Sequence, residues 1–273
     1  MAKLEDPINQ MLLQMEVSAL KALAGRPHIL HLLDVYATRN NTYLVTELCE
    51  GDLNTALRQR RTLPYFEAVE VMRQLIEGYH DIHQAGYVHR DIKPANILHK
   101  NGIYKFADFG FTVPIAELGK HRHYNVGSPV YMPPEALKDN QFSVSCDIWA
   151  LGIIFFQLLK GNVPWRALAE NVLYEKIRCE SINSLTCGTP QPAQHFFSLV
   201  LNLDPKLRPS PEELLNWPGQ LQSANIEMRH LSPMGGRRQN PLREVSDNTP
   251  AAVANTLKRT QNENQYLLGS KGV

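Results

Sequence analysis

The sequence lacks the compositional extremes that mark several classes of protein. Its formal net charge at pH 7 is only +1 over 273 residues, so no excess positive charge points to nucleic acid as a main partner. The longest apolar run, Ile148 to Leu159, has 12 residues and contains Gln157, so it is too short to span a bilayer. We therefore expect neither nucleic acid nor a membrane among the partners of this protein.

Cysteine is also sparse and shows no pattern. The four cysteines form no CxxC pair and no metal-ligand spacing; they are Cys49, Cys146, Cys179 and Cys187. The first residues do not resemble a signal peptide. We expect free thiols in a reducing compartment, the cytoplasm, with the nucleus as the alternative.

Hydrophobic residues make up 43% of the chain, enough for one substantial core or two small ones. Apolar residues recur every three or four positions from Pro7 to Leu23, which predicts an amphipathic helix. Ile29 to Val35 and Tyr43 to Leu48 resemble two strands of a hairpin. A second helix is predicted from Pro64 to Gly86, because proline is favoured in the first helical turn.

The second half of the chain has mainly helical patterns. The clearest runs from Asp147 to Leu159, with others near Leu173 to Ile177, Phe196 to Leu203 and Pro211 to Leu215. From Gly219 onward the sequence is polar, with few apolar residues. That composition does not support a core of its own, so we expect a flexible tail over 219–273.

The densest polar chemistry lies in one stretch of 24 residues, Tyr87 to Gly110, which reads YVHRDIKPANILHKNGIYKFADFG. Its apolar runs, Ile97-Leu98 and Ile103 to Phe106, predict short buried strands. The polar residues would then lie on the turns between these strands. Turns held by a rigid scaffold are where proteins present catalytic groups.

Taken in order, the motifs of this chain resemble those of the eukaryotic protein kinase family, over roughly Pro7 to Pro218. The motifs are His89-Arg90-Asp91, Lys93, Asn96, Asp108-Phe109-Gly110, Pro134-Glu135, Asp147-Ile148-Trp149 and Arg208. The KPAN form of the loop is similar to that of serine/threonine kinases. The phrase GSPVYM at 127–132 is similar to that of the Unc-51-like autophagy kinases.

The resemblance implies an α+β, bilobal fold. Residues 49–218 would form a mostly helical large lobe, and residues 1–48 would form an incomplete small lobe of one helix plus a β-hairpin. It also implies transfer of the γ-phosphate of ATP to serine or threonine hydroxyls of a protein substrate. It leaves the oligomeric state open.

For the chemistry, the resemblance assigns four residues. Asp91 would accept or orient the proton of the substrate hydroxyl, and Lys93 would face the transferred phosphoryl group. Asn96 and Asp108 would be the ligands of Mg²⁺, which prefers hard oxygen donors. Catalysis would then depend mainly on positioning and on compensation of negative charge.

For the nucleotide, the resemblance places Thr46 as the gatekeeper behind the adenine and Leu98 beneath it. Glu47 to Cys49 would present backbone groups to the adenine, and Asp52 would reach the ribose. Glu16, expected on the outer face of the first helix, matches the glutamate that pairs with a strand lysine in the family.

Two further assignments concern the segment after Gly110. Glu135 and Arg208 would form a buried ion pair. Ser128 occupies a substrate-loop position, and Tyr124 occupies the usual phosphorylation position, where Arg90 could pair with an added phosphate.

The chain departs from the family pattern upstream of Glu16. The sequence has no glycine-rich loop there, and Lys3 is only a faint counterpart of the phosphate-binding lysine. We therefore expect an unpaired edge on the Tyr43 to Leu48 strand and weak or absent binding of ATP by this chain alone. Two hypotheses stay open: a serine/threonine kinase, and a catalytically silent interaction module derived from one.

Overall fold

The N-terminal part of the chain forms one helix and one hairpin, as its pattern predicts. The structure, a computed structural model, describes residues 7–38, 41–121 and 127–221. Helix α1 (Pro7–Ala22) is followed by strands β1 (Leu32–Ala37) and β2 (Thr42–Thr46), which pair antiparallel with an irregularity between Leu32 and Asp34. The predictions for Lys3, Tyr124 and residues 222–273 lie outside the described residues.

Two small sheets follow the hairpin. Strands β5 (Ile97–Lys100) and β6 (Ile103–Phe106) match the predicted strands, and β5 also pairs with the two-residue strand β3 (Gly51–Asp52). Strands β4 (Tyr87–Val88) and β7 (Val113–Pro114) form a second pair, so the polar stretch begins at β4 and the chain returns to pair with it at β7. The 3-10 turns at Pro94–Asn96, Ile115–His121 and Pro129–Tyr131 complete this region.

The remaining elements are helices. They are α2 (Leu53–Arg60), α3 (Tyr65–Gln84), α4 (Pro134–Asp139), α5 (Val144–Lys160), α6 (Glu170–Cys179), α7 (Ile182–Leu185), α8 (Gln191–Val200) and α9 (Pro211–Leu214), with a 3-10 turn at Pro205–Leu207. The mixture of many helices and few strands confirms the α+β class. No helix in the described part of the chain has the length and apolar character needed to cross a membrane.

Helix α5 lies at the centre of the core. A helix that is apolar on all sides is stable only when it is buried, and α5 is buried along most of its length. Gly152 allows α8 to approach, because a Cβ at this position would lie 2.6 Å from Cγ2 of Val200. Trp149 of α5 stacks on Trp165, with ring centroids 5.6 Å apart.

Two short strands have no counterpart in the sequence predictions. Strand β3 lies in the connector after β2 and leads directly into α2, whose first turn is capped by Asp52. Strand β7 lies in the segment from Phe111 to Pro134, which also contains two 3-10 turns among its described residues. Each strand has only two residues, too few to give a periodic signal.

Candidate functional site

The predicted catalytic loop is built around Asp91, whose side chain is almost completely buried. Lys93 Nζ lies 2.7 Å from Asp91 Oδ2. Asn96 Nδ2 donates to the backbone oxygen of Asp91 and to Asp91 Oδ2, each at 3.0 Å. Three of the four residues predicted for the chemistry therefore lie in direct contact.

Ser128, from the segment after Gly110, completes this cluster. Its hydroxyl donates to Asp91 Oδ1 at 3.2 Å and accepts from Lys93 Nζ at 3.1 Å. Gly127 makes the close approach feasible, since its φ is +103° and a Cβ there would lie 2.7 Å from the backbone oxygen of Arg90. The sequence had placed Ser128 in a substrate loop, but only the fold shows this double contact.

Asp147, near the start of α5, binds the backbone of the catalytic loop. It is fully buried, and its two carboxylate oxygens accept the backbone N–H of His89 at 2.7 Å and of Arg90 at 2.9 Å. Burial raises the pKa of Asp147, and the charge of His89 and these hydrogen bonds oppose that rise. The sequence motif contained Asp147 but gave no sign of this supporting role.

The loop is also tied to the segment that carries Asp108. His89 Nε2 lies 3.2 Å from the backbone oxygen of Ala107, and its ring lies 5.0 Å from that of Phe109. The backbone N–H of Ala107 donates to the backbone oxygen of Asn96 at 2.9 Å. The structure therefore brings the two predicted Mg²⁺ ligands onto adjoining, mutually bonded backbone segments.

The donor set suits a hard cation. Asp108 is exposed, with φ of +59°, a left-handed conformation that aspartate tolerates better than most residues. Because the Nδ2 group of Asn96 is used by Asp91, the side-chain oxygen of Asn96 remains as a neutral ligand. A carboxylate and an amide oxygen are the donors that Mg²⁺ accepts.

The expectation that Glu16 lies on the outer face of α1 is wrong. Glu16 is half-buried on α1 and faces the Asp108-Phe109 segment. Desolvation and the nearby charge of Asp108 raise the pKa of Glu16 to about 7, although a hydrogen bond from the Phe109 backbone opposes the rise. No cation contacts Glu16 within residues 10–38, 41–118 and 127–221, whose side chains the structure describes.

The residues predicted for the adenine lie along one path. Thr46 ends β2 opposite Leu32, and the chain continues through Glu47 and Cys49 towards β3. Leu98, on the neighbouring strand β5, is half-buried opposite Asp52. Desolvation is the main cause that raises the pKa of Cys49, which keeps its thiol protonated.

Asp52 has a structural task that the sequence did not reveal. Its Oδ1 accepts the backbone N–H of Thr55, and its Oδ2 accepts the Thr55 hydroxyl, both at 2.8 Å. It is therefore the N-cap of α2. Contact with a ribose, as predicted, would require a carboxylate that already has two donors.

The expected role of Arg90 is also constrained by its contacts. It is buried, and its Nε donates to the backbone oxygen of Phe111 at 2.8 Å. Its guanidinium lies 5.3 Å from the ring centroid of Phe142, and desolvation lowers its pKa. In this arrangement Arg90 holds neighbouring segments together through its own contacts.

The predicted ion pair between Glu135 and Arg208 is present. Arg208 Nη1 and Nη2 lie 2.6 Å and 2.9 Å from the two oxygens of Glu135, and the Arg208 side chain has no exposed surface. The guanidinium also lies 4.9 Å from the ring centroid of Trp149. The pair joins α4 to the turn before α9.

Comparison with known proteins shows the family of the chain. Residues 2–218 match the protein kinase domain family. The chain is 31% identical to serine/threonine-protein kinase 33 of Mus musculus, over 92% of this chain and 57% of the relative. It is 31% identical to serine/threonine-protein kinase PKZ1 of Phytophthora infestans, over 88% and 66%.

A third relative is the hormonally up-regulated neu tumor-associated kinase homolog A of Xenopus laevis. It is 32% identical over 72% of this chain and 29% of the relative. The chain thus spans less than two thirds of the length of each of these three relatives.

The chain belongs to the protein kinase family, and within it to the serine/threonine type. The α+β fold with a reduced small lobe, expected from the sequence, is that of a protein kinase domain. The roles of individual site residues remain predictions of the motif order and of the contacts described above.

Proposed function

We propose that this domain transfers the γ-phosphate of ATP to serine or threonine hydroxyls of a protein substrate. One observation carries the proposal: Asp91 and Lys93 together hold a serine hydroxyl, that of Ser128, between carboxylate and ammonium. A substrate hydroxyl that displaced Ser128 would meet the same two groups. The fold therefore offers a site matched to a hydroxyl acceptor.

The roles of the two groups follow from their charges. Asp91 is held by Lys93 and Asn96 in one orientation, so its carboxylate can accept the hydroxyl proton without first reorganising. The ammonium of Lys93 offsets negative charge that develops on phosphoryl oxygens. ATP would supply the phosphoryl group, and Asn96 and Asp108 would hold Mg²⁺, which would neutralise negative charge on the phosphates.

Nucleotide binding would use the path from Thr46 to Cys49, with Leu98 beneath the adenine. The backbone groups of Glu47 to Cys49 would recognise the base. In most small-molecule sites a few polar groups fix the orientation of the ligand within an apolar pocket. We infer that the domain works in the cytoplasm or nucleus, where ATP, Mg²⁺ and reduced thiols are available.

The test is transfer of radiolabelled phosphate from ATP to a serine- and threonine-rich peptide mixture. We expect D91N and D108N each to lower the rate by about 100-fold or more, since each removes a charge required in the reaction. D139N, on the exposed end of α4, is the matched control and should retain the parental rate. Transfer that persists in D108N would contradict the proposal.

A second candidate is a catalytically silent interaction module. It is favoured by one observation: Glu16 faces Asp108, and no cation lies between them among the described side chains. This candidate predicts that the parent chain transfers no phosphate and that Mg-ATP gives no increase in its melting temperature. Phosphate transfer by the parent chain that is lost in D108N would exclude it.

A further inference from the structure

Three segments that are distant in sequence meet at the ammonium of Lys105. Lys105 Nζ lies 3.0 Å from Glu47 Oε1, and it donates to the backbone oxygen of Pro27 at 2.9 Å. A longer contact of 3.4 Å reaches the backbone oxygen of Ile29. Both charged side chains are only 12% exposed, so solvent screens this pair weakly.

Glu47 is held from a second direction by the segment before β1. Its Oε1 accepts the backbone N–H of His31, and its own backbone N–H donates to the backbone oxygen of His31, both at 3.0 Å. Desolvation would raise the pKa of Glu47, but hydrogen bonds from Lys105, His31 and Lys100 outweigh it and lower the pKa to about 2. The carboxylate is therefore ionised at any physiological pH.

The same junction reaches the strand that leads to Asp108. The backbone N–H of Phe106 donates to the backbone oxygen of His28 at 2.8 Å, and the N–H of Leu30 donates to the oxygen of Phe106 at 2.9 Å. Residues 28–30 thus lie along the end of β6, directly beside Lys105. One ammonium consequently links the backbone after β2, the segment before β1, and the strand preceding Asp108.

We infer that Lys105 is a positioning residue that fixes the backbone of 47–49 for nucleotide binding. The inference rests on the proposed function, because it takes 47–49 as the segment that faces the adenine. Lys105 itself would not touch the nucleotide. It acts through Glu47, whose other hydrogen-bond partners among the described residues are His31 and Lys100.

Lys100 provides the internal comparison. Its Nζ lies 3.1 Å from Glu47 Oε2, so it contacts the same carboxylate. However, its side chain is 38% exposed, against 12% for Lys105, and among the described residues no hydrogen bond joins it to the segment before β1. Its more exposed ammonium contributes less to order, whereas Lys105 connects three segments.

The experiment uses the full chain and the variants K105M, E47Q, the double variant, and K100M as the matched control. Dissociation constants for Mg-ATP are measured by calorimetry, and hydrogen exchange is measured for the amides of Glu47 and Glu50, which donate to His31 and His99. We expect K105M and E47Q each to weaken Mg-ATP binding about tenfold and to speed exchange of these two amides. The double variant should weaken binding no further than K105M alone, because both single changes remove the same contact between Lys105 and Glu47.

K100M should change the dissociation constant by less than about twofold. Where the parent binds Mg-ATP, a K105M variant that binds as tightly as K100M would overturn the inference, whatever its melting temperature. Where the parent does not bind Mg-ATP, the proposed function fails, and exchange alone decides on Lys105. Faster exchange of the Glu47 and Glu50 amides in K105M than in K100M then supports its positioning role, and equal exchange overturns it.

Discussion

At the scale of single residues, Glu16 carries a charge in an unfavourable setting. Burial on α1 and the neighbouring Asp108 raise its pKa from 4.5 to about 7. Between these two pH values the folded state binds more protons than the unfolded chain, so stability falls as the pH rises from 4.5 to 7. Above pH 7 the Glu16 carboxylate is ionised in the folded state, and the full free-energy cost of that buried charge reduces stability.

E16Q should therefore stabilise the domain most at high pH. We expect no gain near pH 4.5 and a gain of about 1–2 kcal/mol above pH 7, after allowance for solvent screening of a half-exposed group. Urea unfolding of parent and variant from pH 4.5 to 8 measures the difference. The same substitution at Glu175, an exposed residue of α6, is the control, and a pH-independent effect of E16Q would contradict the assignment.

Arg208 represents the opposite case, a charge whose partner is already in place. R208M would leave Glu135 without its bidentate partner, and such a loss in a buried pair costs about 3–5 kcal/mol. R178M removes an exposed pair with Glu175, whose closest atoms are 3.8 Å apart, and should cost no more than about 1 kcal/mol. Equal losses of unfolding free energy in the two variants would show that burial does not set the cost.

At the scale of elements, the approach of the segment after Gly110 to the catalytic loop depends on Gly127. Any side chain at 127 meets the backbone of Arg90, and backbone yields less readily than a flexible side chain. The contacts of Ser128 with Asp91 and Lys93 follow immediately in the chain. The position of this segment is therefore sensitive to one added methyl group.

G127A and G188A separate the effect of the clash from that of the backbone conformation. Both glycines have positive φ, +103° and +79°, but a Cβ at Gly188 would meet nothing within 4 Å. Each variant should lose about 1–2 kcal/mol of stability from the left-handed conformation. Only G127A should also lower phosphate transfer, by about tenfold or more, because a misplaced segment disturbs the groups around Asp91. Equal transfer rates in the two variants would contradict this expectation.

At the scale of the whole molecule, burial is distributed unevenly. Helix α5 is buried along most of its length, whereas the β1–β2 hairpin exposes Leu33, Tyr36, Tyr43 and Val45. In the described residues, the hairpin strands pair only with each other. Elements with few buried apolar contacts open at lower free energy than the core around them.

Native-state hydrogen exchange should show this difference. We expect amides of β1 and β2 to exchange by local opening, at a free energy well below that of global unfolding. Amides in the middle of α3 and α5 should exchange only with global unfolding. Protection factors measured by nuclear magnetic resonance or mass spectrometry test the order, and equal protection of hairpin and core helices would contradict it.

The sequence predicted features that are encoded locally. The helices α1, α3 and α5 follow from apolar periodicity, and β5 and β6 follow from short apolar runs beside turns. It could not predict β3, which has two residues, or the capping role of Asp52, because neither produces a pattern. The outer-face position expected for Glu16 was wrong, since it depended on which side of α1 meets the Asp108 segment.

By itself, the sequence determined the family, since the ordered motifs from His89 to Arg208 are read without knowing where any side chain lies. Only the tertiary structure decided which of these residues touch. It brought Ser128 to Asp91 and Lys93, placed Asp147 against the backbone of His89, and joined Lys105 to Glu47. The physical reason is that such contacts join segments far apart in the chain, so their geometry depends on how the elements pack and not on local pattern.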